Sequence, residues 1–252
     1  LCRHLFSRYE ARFAQGVSVM KQIYIYYYRM SGDGHDQLPA GQVQQRWLAE
    51  LSVQKRTAIA RLVNESDRIL SLAGLQLLKH CALDAGFSRF SLDQLFYPEQ
   101  GKPCWRSADD SGFDFNISHT RDLVVAALGT DLRVGVDAER IRPLKRLSFK
   151  MVLNEAELEQ VRLQANDFFE LWSKKEAVVK AADTAGISRM RDVCLDRNRQ
   201  RATLDGQGWY LYDLSQDLHI DRQYTAWLAS SEPPVKRYVK EKTLQDLANS
   251  ET

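Results

Sequence analysis

Leu123-Val124-Val125-Ala126-Ala127-Leu128-Gly129-Thr130-Asp131-Leu132-Arg133-Val134-Gly135-Val136-Asp137-Ala138-Glu139 is the stretch on which the sequence turns. Two apolar runs, Leu123 to Gly129 and Leu132 to Asp137, flank the short turn Thr130-Asp131, so the segment reads as a pair of core strands. Residues two apart in a strand share a face. Asp137 and Glu139 therefore present two carboxylates side by side just beyond an apolar run. Close carboxylates repel unless a proton or a cation sits between them, and a hard divalent cation such as Mg²⁺ suits oxygen ligands. A solvated strand end with two acidic residues is the plain alternative.

Working outward, the order strand, loop, helices, strands occurs on both sides of this stretch. Upstream, residues 22–28 form a β-branched and aromatic strand, broken by Ser31-Gly32-Asp33-Gly34. The pattern predicts helices over about 43–62 and 66–84. The second carries Ile69, Leu70, Leu72, Ala73, Leu75, Leu77 and Leu78 on a broad apolar face, with Gly86 as its stop signal. Short strands are expected at 94–97 and 113–117, around the turn Gly101-Lys102-Pro103. Downstream, helices are expected at about 155–164 and 166–182, and strands near 191–195, 209–213 and 223–229. The reading is an α+β protein of two halves, residues 20–131 and 132–240, with a tail over 241–252. Residues 1–19 precede the first strand as an extension that either adds nothing to the fold or forms a short amphipathic helix.

Composition narrows the function. The chain has 252 residues, 44% hydrophobic and 27% charged, with 35 basic and 33 acidic residues and a formal net charge of +2. A near-balanced chain lacks the basic surface of a general nucleic-acid binder, so any anion site must be local. Cys2, Cys81, Cys104 and Cys194 are scattered without a C-x-x-C pair, which reads as reduced thiols in a cytoplasmic protein. No apolar run approaches the roughly 18 residues of a membrane span. Arg3, His4, Arg8, Glu10 and Arg12 deprive the first stretch of a signal peptide's apolar centre.

Three further segments carry chemistry. In Leu171-Trp172-Ser173-Lys174-Lys175-Glu176-Ala177-Val178-Val179-Lys180, helical spacing sets Trp172, Glu176 and Lys180 along one face. An aromatic, a carboxylate and an ammonium in line can anchor a helix, ligate a metal and bind a phosphate. An ordinary exposed Glu-to-Lys pair, stabilising a helix by about 0.2–0.5 kcal/mol, has the same spacing. Phe115-Asn116-Ile117-Ser118-His119-Thr120 runs a strand into a polar corner able to donate to phosphate oxygens, although a histidine at a strand end also serves structure alone. Gly101-Lys102-Pro103 displays one lysine on a turn, as many surface turns do.

The order G-K-P, F-N-I-S-H, V-G-V-D-x-E and W-S-x-K-E-x-x-x-K resembles the 4′-phosphopantetheinyl transferase family. The resemblance is to its long, single-chain (surfactin-synthetase-activating) form. It runs from about Lys21 to about residue 230 and is densest between Gly101 and Lys180. It implies two similar α+β halves related by a pseudo-two-fold, with the active site in the cleft between them. The implied reaction moves the 4′-phosphopantetheine group of coenzyme A onto a serine of an apo acyl or peptidyl carrier protein and releases 3′,5′-ADP. By motif position, Asp137, Glu139 and Glu176 would hold Mg²⁺, and Lys180 would neutralise the pyrophosphate, with Lys175 either assisting or facing solvent. Ser118, His119 and Lys102 would hold the coenzyme's phosphates, with Lys55 a further ligand of the 3′-phosphate and Ser71 touching the nucleotide. A second lysine expected three positions after Lys55 is absent, since Ala58 stands there; Arg56 or Arg61 would compensate. Glu157 is the candidate base, acting directly or through a metal-bound water, with Glu176 and Lys180 completing the catalytic set; a first-turn glutamate favoured by the helix dipole is the alternative for Glu157. Arg121 and Arg146 would steer an acidic carrier. Neither nucleic acid nor membrane is an expected partner, and the chain is expected to be a monomer. A metal-dependent phosphohydrolase and a non-catalytic coenzyme A-binding module are the rival readings.

Overall fold

The computed structural model describes residues 21–30, 41–105, 112–144, 149–164, 167–184, 186–234 and 236–249. The expected extension 1–19, the breaker Ser31-Gly32-Asp33-Gly34 and Arg146 lie outside them. Strand β1 (Gln22–Arg29) is buried on both faces, which explains its unbroken run of isoleucine and tyrosine. Helices α1 (Gly41–Ala49), α2 (Val53–Ala60) and α3 (Glu65–Asp84) follow. The stretch expected as one helix over 43–62 is two, because Ser52 breaks in to cap α2 by accepting the Lys55 N–H.

The turn Gly101-Lys102-Pro103 is flanked by β2 (Leu95–Phe96) and β3 (Cys104–Trp105), which pair with each other. The strand expected at 113–117 is longer and pairs elsewhere: β4 (Phe113–Thr120) runs antiparallel to β5 (Leu123–Thr130). β5 in turn pairs with β1. The second half starts with β6 (Val134–Arg140). The two runs read as a pair of core strands are thus core strands of different sheets. Helices α4 (Glu155–Leu163) and α5 (Asp167–Ala181) come next, close to expectation. Then β7 (Cys194–Leu195), β8 (Arg201–Leu204), β9 (Gln207–Asp213) and β10 (Tyr224–Ser230) complete a sheet of order β6-β10-β9-β8-β7.

The chain then returns. Strand β11 (Lys236–Glu241) lies parallel to β1, giving the first sheet the order β11-β1-β5-β4. Helix α6 (Leu244–Ala248) buries Leu244 and Leu247 among side chains of α1 and α3. Residues 236–248, divided on sequence between the second half and a tail, therefore complete the first sheet and its core. One core lies under α1–α3, another around α5, and a third between the sheets, where Ile23, Ile25, Val125 and Ala127 meet Val134, Val136, Ala226 and Leu228. No helix among the described residues is long and apolar enough to cross a membrane.

A second joint holds the sheets together. Every second residue of β4 points a short acceptor at β6. Asp114 Oδ2 accepts from Val134 N–H at 2.8 Å, Asn116 Oδ1 from Val136 at 2.9 Å, Ser118 Oγ from Ala138 at 3.3 Å and Thr120 Oγ1 from Arg140 at 3.2 Å. Each rung joins residues 20 apart, so the strands run parallel in fixed register. Side chains here do what backbone carbonyls do within a sheet, satisfying N–H groups that would otherwise be buried without partners.

Candidate active site

Asp137 and Glu139 stand on the face of β6 that packs on α5. Gly135 shares that face, and a Cβ there would lie 2.1 Å from the carbonyl oxygen of Ala177 and 2.5 Å from the Ala181 nitrogen. Strand and helix backbones are thus in contact. That contact sets Glu176 and Lys180, one turn apart on α5, beside the β6 carboxylates. Ligand oxygens of Asp137, Glu139 and Glu176 lie within 4.8 Å of one another. Lys180 Nζ sits 2.7 Å from Asp137 Oδ1 and 3.2 Å from Glu176 Oε1, and it donates to Val136 O and Ser118 Oγ, both at 3.3 Å.

The cluster is short of positive charge. Burial and the charge of Asp137 push Glu139 up to about 7, against the opposing pull of Arg142 at 3.6 Å. Burial also raises Glu176, with Lys180 opposing and Asp137 adding to the rise. Lys180 is raised despite its own burial, because Asp137 and Glu176 favour the ammonium. Asp137 is buried, and its Oδ2 has no hydrogen-bond partner. An orphaned buried carboxylate oxygen is costly. With three carboxylates converging and the Lys180 ammonium paired with two of them, the site fits a hard divalent cation bound through oxygen.

Around this centre the expected residues divide. His119 follows Ser118 and so points to the other face of β4, where α3 packs. Desolvation lowers its pKa, with Asp67 of α3 opposing and Lys180 and Lys55 adding to the fall. Lys55 is half-buried on α2 with its ammonium 4.9 Å from the Tyr97 ring, and burial lowers its pKa. Ser71 lies on α3 one turn beyond Asp67 and is half-buried; Arg56, Ala58 and Arg61 are exposed. Arg121 is exposed in the β4–β5 turn with φ 40°. Lys102 turns inward: Nζ bonds Asp114 and Val134 O at the seam between the sheets, and its N–H donates to Asp183 Oδ1 at 2.6 Å.

Lys175 and Glu157 are brought to each other. Glu157 closes a capping box with Asn154 at the start of α4. Its Oε2 lies 2.7 Å from Lys175 Nζ, which also donates to Val152 O and Met190 O. Lys175 is fully buried. An ammonium has three donors, and all three are used, so this lysine has none left for a phosphate. Its expected contact with the coenzyme gives way to a tie between α4, α5 and the segment at Met190.

The comparisons with known proteins cover both halves. The family model described as "4'-phosphopantetheinyl transferase, N-terminal" matches residues 39–130, and the one described as "4'-phosphopantetheinyl transferase superfamily" matches residues 133–235. The chain belongs to this superfamily. The 4'-phosphopantetheinyl transferase AcpT of Escherichia coli is 34% identical over 118 residues, which span 43% of this chain and 55% of that protein. The chain thus covers little more than half the length of this relative. The 4'-phosphopantetheinyl transferase Sfp of Bacillus subtilis is 28% identical over 173 residues, 65% of this chain and 71% of Sfp. The transferase gsp of Aneurinibacillus migulanus is 28% identical over 162 residues, 62% and 66% of the two chains. The boundary between the two transferase family models falls at residues 130–133, where the chain passes from β5 to β6. Asp67, Tyr97, Asp114 and Asp183 went unnoticed in the sequence. Only Asp114 left a signal there, the alternation of small polar residues through 114, 116, 118 and 120.

Proposed function

We propose that this chain transfers the 4′-phosphopantetheine group of coenzyme A to a serine of an apo acyl or peptidyl carrier protein, releasing 3′,5′-ADP, with Mg²⁺ as cofactor. The observation that carries this reading is the convergence of Asp137, Glu139 and Glu176, with the bare Oδ2 of Asp137, beside Ser118 of the first half. Asp137, Glu139 and Glu176 would hold Mg²⁺, which when bound neutralises charge on a pyrophosphate. Lys180, freed from the carboxylates it bridges, binds pyrophosphate oxygens. Lys55 and His119, on the α2–α3 side of β4, hold the 3′-phosphate, with Ser71 beside the nucleotide. Lys102 keeps the two sheets in register under that pocket. Glu157 takes the proton of the carrier serine through Oε1, since its bonds to Asn154 and Lys175 both fall on Oε2. Exposed Arg121 helps steer an acidic partner. The two halves are related by a pseudo-two-fold, each with one long helix on its sheet.

The test is intact-mass measurement of an apo carrier incubated with this protein, coenzyme A and Mg²⁺, beside a Glu176→Gln sample. A gain of one phosphopantetheine that needs the metal and is lost in the variant supports the reading. Coenzyme A hydrolysed without transfer favours a phosphohydrolase. Coenzyme A bound and intact, with no carrier modified, favours a binding module.

A further inference from the structure

We infer that Ser118 is a positioning residue for Asp137 and not a phosphate ligand; this rests on the metal-centre reading above. A hydroxyl offers one donor and two acceptor sites. At Ser118 all three are in use. The O–H donates to Asp137 Oδ1 at 3.1 Å, while Oγ accepts the Ala138 N–H and the Lys180 ammonium, both at 3.3 Å. The residue is 6% exposed. A phosphate oxygen could bond this hydroxyl only by displacing one of these partners.

The arrangement selects which carboxylate oxygen is left without a partner. Ser118 and Lys180 both engage Oδ1, so Oδ2 is the atom left buried and bare. Lys180 reaches Asp137 on a long flexible stem. Ser118 instead is fixed to the β6 backbone one residue from Asp137 by its rung to Ala138. The neighbouring rungs show why a hydroxyl stands here. Asp114 and Asn116 also accept a β6 N–H, but the group at 118 must accept that N–H and donate to a carboxylate through the same atom. An ionised aspartate cannot donate, and asparagine accepts and donates through different atoms. Residues that orient metal ligands in this way typically alter metal affinity by about 10–100-fold when changed.

Mn²⁺ is the probe. Its binding to the full chain is followed by electron paramagnetic resonance with and without coenzyme A, and coenzyme A binding is measured separately in EDTA by calorimetry. Ser118→Ala is expected to weaken Mn²⁺ binding about 10–100-fold and to leave the metal-free affinity for coenzyme A unchanged. Ser118→Thr and Ser118→Val share one shape, so the pair separates loss of the hydroxyl from misfit: threonine restores Mn²⁺ binding and valine does not. Thr120→Val removes another rung without touching Asp137 and is expected to lower the melting temperature while Mn²⁺ binding holds. Unchanged Mn²⁺ binding in Ser118→Ala would overturn the inference, and so would a loss of coenzyme A affinity in EDTA, which would make the hydroxyl a phosphate ligand. A wild-type protein that takes up Mn²⁺ neither alone nor with coenzyme A removes the metal centre itself, and the inference falls with it.

Discussion

Glu139 keeps its proton to about pH 7 because burial and Asp137 both oppose the charged form. Unfolding returns it to an ordinary glutamate near 4.3. Between those values the folded state binds more protons than the unfolded one, so stability falls as pH rises through the interval and levels off above it. In EDTA the melting temperature is therefore expected to drop between pH 5 and pH 7.5, and Glu139→Gln to flatten that slope. Added Mg²⁺ should recover more stability at pH 8 than at pH 6, since the carboxylate must shed its proton to ligate. The buried pair Glu157–Lys175 makes a second prediction. Glu157→Gln leaves a fully buried ammonium without its counter-charge, and the expected loss is about 3–5 kcal/mol in urea unfolding. Transfer measured well below the unfolding midpoint falls too if Oε1 serves as base, whereas an unchanged rate would assign Glu157 to the fold alone.

At the scale of elements, the contact of β6 with α5 decides the site. Gly135→Ala places a methyl group against backbone atoms of Ala177 and Ala181, which cannot swing aside as a side-chain tip can. A loss of about 1–3 kcal/mol or more is expected, and the helix must also move away from β6 with Glu176 and Lys180 on it. Metal binding should therefore fall further than in a surface control of equal stability. The same elements show what the sequence could tell. α3, α4 and α5 were legible because their apolar residues follow the helical period or their caps stand in sequence. β11 was not, because Lys236-Arg237-Tyr238-Val239-Lys240-Glu241 has exposed charged ends and no clean alternation. Its place is set by pairing with a distant strand. β8 is only four residues long. Asp137, Glu139, Glu176 and Lys180 could be singled out because each pair lies at strand or helix spacing. The Glu157–Lys175 bond and the donor role of Ser118 could not, since each joins segments whose meeting only the fold defines.

For the molecule as a whole, the ends of the described chain carry weight beyond their length. Lys240 bonds Asp84 at 2.7 Å, Asp84 also accepts from the Tyr26 hydroxyl, and Arg46 donates to the carbonyl of Ala248. Removing residues 236–252 strips β1 of its parallel neighbour and uncovers the core that Leu244 and Leu247 close. The truncated protein is expected to self-associate through the bared edge, and gel filtration against the full chain checks it. The pairing of Ile23 with Arg237 also has a kinetic side. At the usual pace of synthesis, about 5–20 residues per second, the ribosome delivers β11 roughly 10–40 s after β1. Through that interval the nascent first sheet has an open flank beside an apolar strand. Cells making this protein are thus expected to depend on chaperone occupancy of the nascent chain, and folding from denaturant should be slow, as distant pairings make it.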